Sequence, residues 1–251
     1  MNKEKNVMEY YDKYWLDVNK DKQEKSDLRD YEEEAREYVF DFLKKHFISL
    51  RNKNVLEIGP GRGYDVLEFA KNNAKVIAID ISKNSLNSTN ELLKTNKLSK
   101  NVRLIEMDAN NLKFKKNQFD IIFILSTLMH LNHSKVIKKC IEILKNNGVL
   151  VSIEPINENL LIKIYRKIFS DFEKLNPNYL KYKDLISISK FFNKSYIKVF
   201  YLFSFLSLIF RENKFLYKIS SKFLKILEKS LLKIFPSLEK KCWLSASIFI
   251  K

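Results

Sequence analysis

Glycine is scarce in this chain, with only 4 among 251 residues, and 3 of those 4 fall at Gly59, Gly61 and Gly63. Such clustering excludes glycine as general loop filler and marks one turn as special. Cysteine is scarcer still. Cys140 and Cys242 lie far apart and in no metal spacing, which excludes a disulfide framework and a zinc site. No uninterrupted apolar run approaches the roughly 20 residues that a spanning helix needs. Met1 to Asp12 is charged and has no apolar core, so no signal peptide is expected and the expected setting is reducing and cytoplasmic. Acids are outnumbered, 30 against 46 Lys and Arg, for a formal charge of +16. That charge draws the chain to anionic surfaces without naming one. Heavy use of Lys, Asn and Ile in helices and loops leaves coding bias as an equal account of it. With 45% apolar residues the chain can bury a sizeable core, as one large α/β domain with decorations.

What is present centres on Val55-Leu56-Glu57-Ile58-Gly59-Pro60-Gly61-Arg62-Gly63-Tyr64-Asp65. A β-branched, apolar run stops at an acid and a glycine cluster, and the helical pattern Val66, Leu67, Phe69, Ala70 begins at once. Glycine lets the backbone take positive φ and lets a ligand press against main chain. The helix that follows offers free N–H groups. Some twenty residues on, Lys75-Val76-Ile77-Ala78-Ile79-Asp80 reads as a second strand ending in an acid, the place where a βαβ nucleotide site holds ribose hydroxyls.

The spacing Glu-x-Gly-x-Gly-x-Gly differs from the dinucleotide pattern and resembles the first motif of the class I S-adenosylmethionine-dependent methyltransferases. Later segments fall in that family's order. Arg103–Ala109 resembles its third strand and following acid, Phe119–Ser126 its fourth strand, and Leu144–Pro155 its helix end, glycine stop and fifth strand. The resemblance implies an α/β fold with a Rossmann-like seven-stranded sheet, mostly parallel, whose last strand is antiparallel. It implies S-adenosyl-L-methionine as cofactor. Glu57 would organise the glycine loop or reach the methionine amine, and Gly59, Gly61 and Gly63 would let main chain approach. Asp80, with Ile81 beside it, would hold the ribose; Asp108 and Ala109 would meet the adenine; Leu125 or Ser126 would touch the methionine end. Asp120 reads as a strand-entry turn residue.

Three segments are expected: an N-terminal helical lid (1–49), a cofactor-binding core (50–155), and substrate-recognition helices with a helical insertion and the last two strands (156–251). Tyr10, Tyr11, Tyr14 and Trp15 form an aromatic cluster at helical spacing, with Tyr11, Tyr14 and Trp15 expected over the cofactor mouth. Ala35, Tyr38, Val39, Phe42 and Leu43 recur on one face of a second helix, which suits packing on the sheet. A helix is expected from Asn159 to Phe172, another from Lys183 to Phe192, and strands at Tyr196–Phe203 and Trp243–Ile250. Between those strands the insertion Ser204–Lys241 carries Leu216, Ile219, Phe223, Ile226, Leu227 and Leu231 on one face and lysines on another. That pattern suits an anionic membrane surface through 214–235. It suits equally a helix whose apolar face roofs the substrate pocket, and the roof is the plainer expectation. The nearly wholly apolar Phe200–Phe210 points back toward lipid.

Proton acceptors near the expected crevice are His130, after the fourth strand, and Glu154, ending the fifth, with Tyr11 behind them. Amino-nucleobase methylation is discounted because Leu125-Ser126-Thr127-Leu128 replaces the Asn/Asp-Pro-Pro-aromatic sequence. Cytosine C5 chemistry lacks its cysteine, and metal-assisted catechol chemistry lacks its carboxylates; no metal is expected. The resulting expectation is a methyltransferase for a small-molecule or lipid-like acceptor, with nucleic acid not expected as a partner. Rivals are an RNA or protein methyltransferase, favoured by charge alone, a cofactor-binding protein without turnover, and, more remotely, a dehydrogenase. Oligomeric state and acceptor are not legible.

Overall fold

The computed structural model describes residues 3–21, 29–169, 174–210 and 212–251. Seven strands form one sheet: β1 Asn54–Ile58, β2 Lys75–Asp80, β3 Val102–Glu106, β4 Phe119–Leu125, β5 Leu144–Pro155, β6 Lys194–Phe200 and β7 Leu244–Ile250. Their order is β3-β2-β1-β4-β5-β7-β6. The pairs from β3 through β5 are parallel, and β7 runs antiparallel to both β5 and β6. This is the Rossmann-like sheet that the motif order implied, and it brings the carboxyl ends of β1, β2 and β4 to one edge.

Alternation along the strands divides the core in two. Val55, Ile121, Phe123, Val149, Val151, Ala246 and Ile248 face one layer. There α2 (Arg29–Phe47) contributes Ala35, Val39 and Leu43 at helical spacing, and α3 (Tyr64–Lys71) contributes Val66 and Phe69. Phe40, Phe69 and Phe123 meet with ring centroids 4.9 to 5.8 Å apart, each such pair worth about 1 kcal/mol beyond its buried area. Leu56, Ile58, Ile122, Ile124, Leu150 and Phe249 face the other layer. Its helices are α5 (His133–Ile143), through Val136, Ile137 and Cys140, and α7 (Tyr182–Ser189), through Leu185 and Ile188. Helix α4 (Lys83–Thr95) begins at Ser82, whose hydroxyl accepts the Ser85 N–H. Within the stretch expected as a lid, then, α2 belongs to the core. Only α1 (Lys3–Asp21) lies elsewhere, against α4. Residues 22–28 of the expected N-terminal helical region lie outside the described residues.

Several boundaries differ from expectation for visible reasons. The turn before Val149 takes its positive φ at Asn147 (60°), and Gly148 serves close approach instead: a Cβ there would sit 2.8 Å from both the Leu144 side chain and the Lys145 carbonyl. Helix α5 therefore stops at Ile143 and β5 starts directly at Leu144. Asp120 accepts from the Asn54 N–H and from Lys145 Nζ, both at 2.8 Å, and so ties together the amino ends of β1, β4 and β5. Helix α6 (Leu160–Phe169) is capped by Asn159, which accepts the Ile162 N–H; residues 170–172 of its expected length lie outside the described residues.

The insertion overturns the expected roof. It holds α8 (Lys214–Ile234) between short 3-10 segments at Ser204–Phe210 and Pro236–Lys241. Leu216, Ile219, Phe223, Ile226 and Leu227 are exposed. The helix grips the body by another stripe, whose centre is an acid: Glu228, 7% exposed, accepts N–H groups from Tyr201, Phe203 and Ser204 at 2.9 to 3.0 Å. These bonds also end β6 at Phe200, short of the expected Phe203, because Tyr201 turns to φ 66° to present its N–H. Removing this acceptor strands three N–H groups, two of them in buried residues. Glu228→Ala is expected to lower unfolding free energy by about 3 kcal/mol in urea titration, whereas Lys229→Ala on the exposed side leaves it within about 0.5 kcal/mol.

Candidate functional site at the carboxyl edge

The glycine loop leaves β1 with Gly59, Gly61 and Gly63 at φ 75°, 55° and 84°, all in the left-handed region that penalises a Cβ. The space a Cβ would need is also taken. At Gly59 it would fall 2.2 Å from Thr127 Oγ1, and at Gly61 2.9 Å from the Trp15 ring. The loop is clasped from α4: Ser85 Oγ and Thr89 Oγ1 both donate to the Gly61 carbonyl, at 3.2 and 3.1 Å. Asp80, at the end of β2, accepts from Ser82 N at 2.9 Å and from Ser85 Oγ at 2.6 Å, and also faces the N–H groups of Ile81 and Gly61. Burial raises its pKa, and these donors partly offset the rise. Ser85 thus bonds both the acid and the loop, which sets Asp80 beside bare main chain.

Asp108 accepts from Asn110 N at 2.8 Å and Asn111 Nδ2 at 2.9 Å, opening a 3-10 turn that buries Ala109. Leu125 ends β4 half-buried, and Ser126 follows at φ 50°, donating its hydroxyl to Glu32 at 2.8 Å. Glu57 is buried. Burial first, and Asp65 second, hold its pKa well above the usual carboxylate range, with Arg36 offsetting. Its Oε2 has no hydrogen-bond partner among the described residues.

Helix α1 lies over this edge. Trp15 packs on Gly61, and Asp12 fastens the helix to the start of α4 by accepting from Ser82 Oγ at 2.9 Å and Asn84 N at 3.1 Å. Tyr14 meets Trp15 edge-on at 5.1 Å. Tyr11 Oη lies 2.9 Å from His130 Nε2. Burial, then the neighbouring Tyr10 and Asp80, push the Tyr11 pKa well up, so the phenol keeps its proton. The structure therefore brings together residues proposed separately as roof and as base.

Glu154 is placed differently from the substrate-touching acid expected of it. It is fully enclosed, and its Oε1 accepts from the N–H groups of Thr127 and Leu128, both at 2.9 Å. It anchors the turn that carries His130, so its role here is positioning. Sequence reasoning missed Asp12, Thr127, Glu32 and Arg36, and also Ser82, Ser85 and Thr89 of the α4 start. Arg36 bonds Asp65 at 3.0 Å and Glu32 at 3.4 Å, carrying a cation from α2 into an otherwise acidic wall. The one available signal was the i, i+4 spacing of Glu32 and Arg36, which also describes any solvated helix face.

The residues present fit an adenosine-bearing ligand: a loop of three positive-φ glycines, the Asp80 carboxylate beside it, and, at Glu57, a buried carboxyl oxygen without a partner among the described residues. Two surface hollows of about 420 and 470 Å3 are lined by Lys75, Asn101 and Gln118, and by Phe42, Asn147 and Lys251, all away from this edge. They have no part in the site.

Comparison with known proteins gives the same reading. Residues 56–152 match the model of a methyltransferase domain family. An uncharacterized protein of Methanocaldococcus jannaschii is 31% identical over 140 residues, 55% of this chain and 57% of that one. A ubiquinone/menaquinone biosynthesis C-methyltransferase of Rickettsia prowazekii is 29% identical over 126 residues, 46% of this chain and 50% of that one. The chain thus spans about half the length of the curated relatives it matches. Among solved structures, Haemonchus contortus phosphoethanolamine N-methyltransferase 2 with phosphomonomethylethanolamine and S-adenosylhomocysteine superposes at a TM-score of 0.61, with 18% identity, over 84% of this chain and 52% of that one. A putative sarcosine dimethylglycine methyltransferase of Galdieria sulphuraria gives 0.63 at 15% identity, over 89% and 87%. At these identities the superpositions show the fold.

The Glu154 carboxyl gives a pH test. Burial raises its pKa to about 8. The folded chain therefore holds a proton that the unfolded chain releases at ordinary carboxylate pH, and wild-type stability falls as pH rises toward that value. Glu154→Gln stays neutral and keeps an oxygen for both N–H groups. Its stability relative to wild type is expected to improve by roughly 1 kcal/mol per unit from about pH 5 to about pH 8 and then level off. Urea titrations across that range measure it, and parallel curves would refute the assignment.

Proposed function

We propose that the chain is a class I S-adenosylmethionine-dependent methyltransferase that transfers a methyl group from S-adenosyl-L-methionine to oxygen or nitrogen of a small-molecule or lipid-like acceptor, a reading supported by the methyltransferase-domain match over residues 56–152. The observation that carries this reading is the placement of Gly59, Gly61 and Asp80 at one sheet edge beneath the aromatic helix α1 and beside the Tyr11 and His130 pair. When bound, the cofactor supplies a methyl already activated on a sulfonium. Gly59, Gly61 and Gly63 would offer it main chain, Asp80 would hold its ribose hydroxyls, and Asp108 with Ala109 would border its adenine.

The remaining work of the chain is alignment and exclusion of water. Positioning of this kind is worth roughly 7–11 kcal/mol of a bimolecular barrier. Tyr11, Tyr14 and Trp15 wall the site with rings, which suits an acceptor with apolar surface and leaves little room for a polymer. Tyr11 Oη and His130 Nε2 are within hydrogen-bond distance; when an acceptor hydroxyl or ammonium displaces the phenol, an imidazole protonated at Nδ1 takes the acceptor's proton at Nε2. Glu154, by fixing Thr127 and Leu128, holds the turn that carries the imidazole. The names of curated relatives, a quinone and a sterol C-methyltransferase among them, support an apolar or lipid-like acceptor. Product analysis separates C- from O- or N-methylation.

Calorimetry with S-adenosylhomocysteine tests cofactor binding. Asp80→Asn, which keeps one acceptor oxygen, is expected to weaken it about ten- to a hundredfold, the loss of one charge-assisted bond. Unchanged affinity, or no heat with the wild type, overturns the reading. Transfer of labelled methyl to fractionated extracts tests turnover, and binding without transfer would mark a non-catalytic cofactor protein. Once an acceptor is in hand, His130→Ala is expected to lower kcat about a hundredfold with little change in cofactor affinity.

A further inference from the structure

Helix α8 has three stripes. Tyr217, Leu224, Glu228 and Leu231 form the side turned to the body. A second stripe carries Leu216, Ile219, Phe223, Ile226 and Ile234, of which Ile219, Phe223 and Ile234 are 52%, 59% and 68% exposed. The third carries Lys214, Lys218, Lys222, Lys229 and Lys233. Lys225, on the same stripe, is committed to Glu34 of α2 at 2.8 Å and pins the helix edge to the core. The 3-10 segment Ser204–Phe210 packs beside α8 and adds Ile209, 75% exposed. Contiguous apolar exposure on this scale marks an interaction surface.

Charge decides the occupant. The sole acid within Lys214–Ile234 is Glu228, and it is turned inward onto three backbone N–H groups. The outward surface is left with large apolar side chains flanked by lysines and with no carboxylate from this helix. An apolar stripe beside a cationic stripe, on a helix roughly 30 Å long, is the arrangement that inserts side chains at the acyl boundary while ammonium groups reach the headgroups. No helix among the described residues is long and apolar enough to cross a membrane. We propose that the outer face of α8, extended by Ile209, docks on an anionic lipid bilayer surface. The proposal is independent of the methyl-transfer reading, since docking requires neither donor nor acceptor.

Flotation of the full chain with vesicles tests it. The wild type is expected to float with phosphatidylcholine vesicles containing phosphatidylglycerol, to stay behind with phosphatidylcholine alone, and to be released from the anionic vesicles as salt is raised. Lys222→Gln with Lys229→Gln is expected to lower partitioning about thirtyfold. Ile219→Asp with Phe223→Asp is expected to lower it at least about tenfold. All four side chains are exposed, and matched circular dichroism and unfolding midpoints would show both variants folded. Wild type that floats with neither vesicle overturns the proposal, as does full binding by the Asp variant. So does a wild-type dimer that Phe223→Asp dissociates in sedimentation without any flotation, which would make this face a contact between copies of the chain.

Discussion

The hydroxyls of Ser85 and Thr89 converge on one carbonyl, that of Gly61, and much of the carboxyl edge depends on that clasp. It joins the loop after β1 to the helix after β2, so two crossover units of the sheet share one hydrogen-bond centre. Ser85 also reaches Asp80, which fixes the carboxylate at a set distance from the loop's main chain. Gly61 then presents its Cβ-less face outward, and that face receives Trp15. Asp12 secures the same helix to Ser82 and Asn84, one turn before Ser85. Loop, carboxylate and roof are thus held by Ser82, Asn84, Ser85 and Thr89, from the cap of α4 to its second turn, and disturbing one disturbs all three.

Electrostatics set a second constraint. Glu57, Asp65, Glu32 and Glu154 crowd the wall beneath the crevice, with Arg36 as the cation bonded among them. Burial raises the pKa of Glu32, Glu57 and Glu154, because a carboxylate out of water costs more than a carboxylic acid. Arg36 keeps Asp65 from meeting Glu57 uncompensated. The structure tolerates this density by protonation and by backbone donors: Glu154 receives two N–H groups, and Asp80 receives N–H groups together with the Ser85 hydroxyl.

The glycine loop and the strand-end acids of this edge were legible because their geometry is local in sequence. A glycine that must take positive φ, and an acid at a strand end, occupy fixed offsets from an apolar run, so Gly59, Gly61, Gly63, Asp80 and Asp108 could be read from spacing and family resemblance. The helix and strand periods of the core were read for the same reason. Contacts made across the fold were not. Asp12, Glu32, Arg36 and Thr127 act on partners up to 94 positions away, as Glu32 does on Ser126, and nothing in their neighbourhood distinguishes them from surface residues. Glu154 was read as a substrate contact because a strand-end acid looks the same whether it faces the crevice or turns back to hold a loop. For helix α8 the sequence left two readings open, a membrane surface and a pocket roof, and the plainer of them, the roof, does not match the exposed apolar stripe. The body-facing stripe is built on Glu228, an acid whose burial depends on backbone N–H groups at Tyr201, Phe203 and Ser204 that sequence does not reveal.

The position of that insertion follows from strand direction. Because β7 is antiparallel, its first residue, Leu244, pairs with Pro155 at the carboxyl end of β5 and with Phe200 at the end of β6. Both ends of the segment between Phe200 and Leu244 therefore leave the sheet at the edge that carries the glycine loop. Asn159 strengthens the junction, its amide donating to the carbonyls of Leu202 and Lys241 at 2.8 and 2.9 Å and so binding the two ends of the insertion to the start of α6. Lys225 reaches back to Glu34, on the helix that also supplies Glu32 and Arg36 to the crevice wall. A reversal of one strand thus delivers a cationic, apolar-faced helix to the functional edge of the sheet. Had β7 run parallel, its connection from β6 would have had to cross to the amino edge first, and the segment would have been free to pack far from the site.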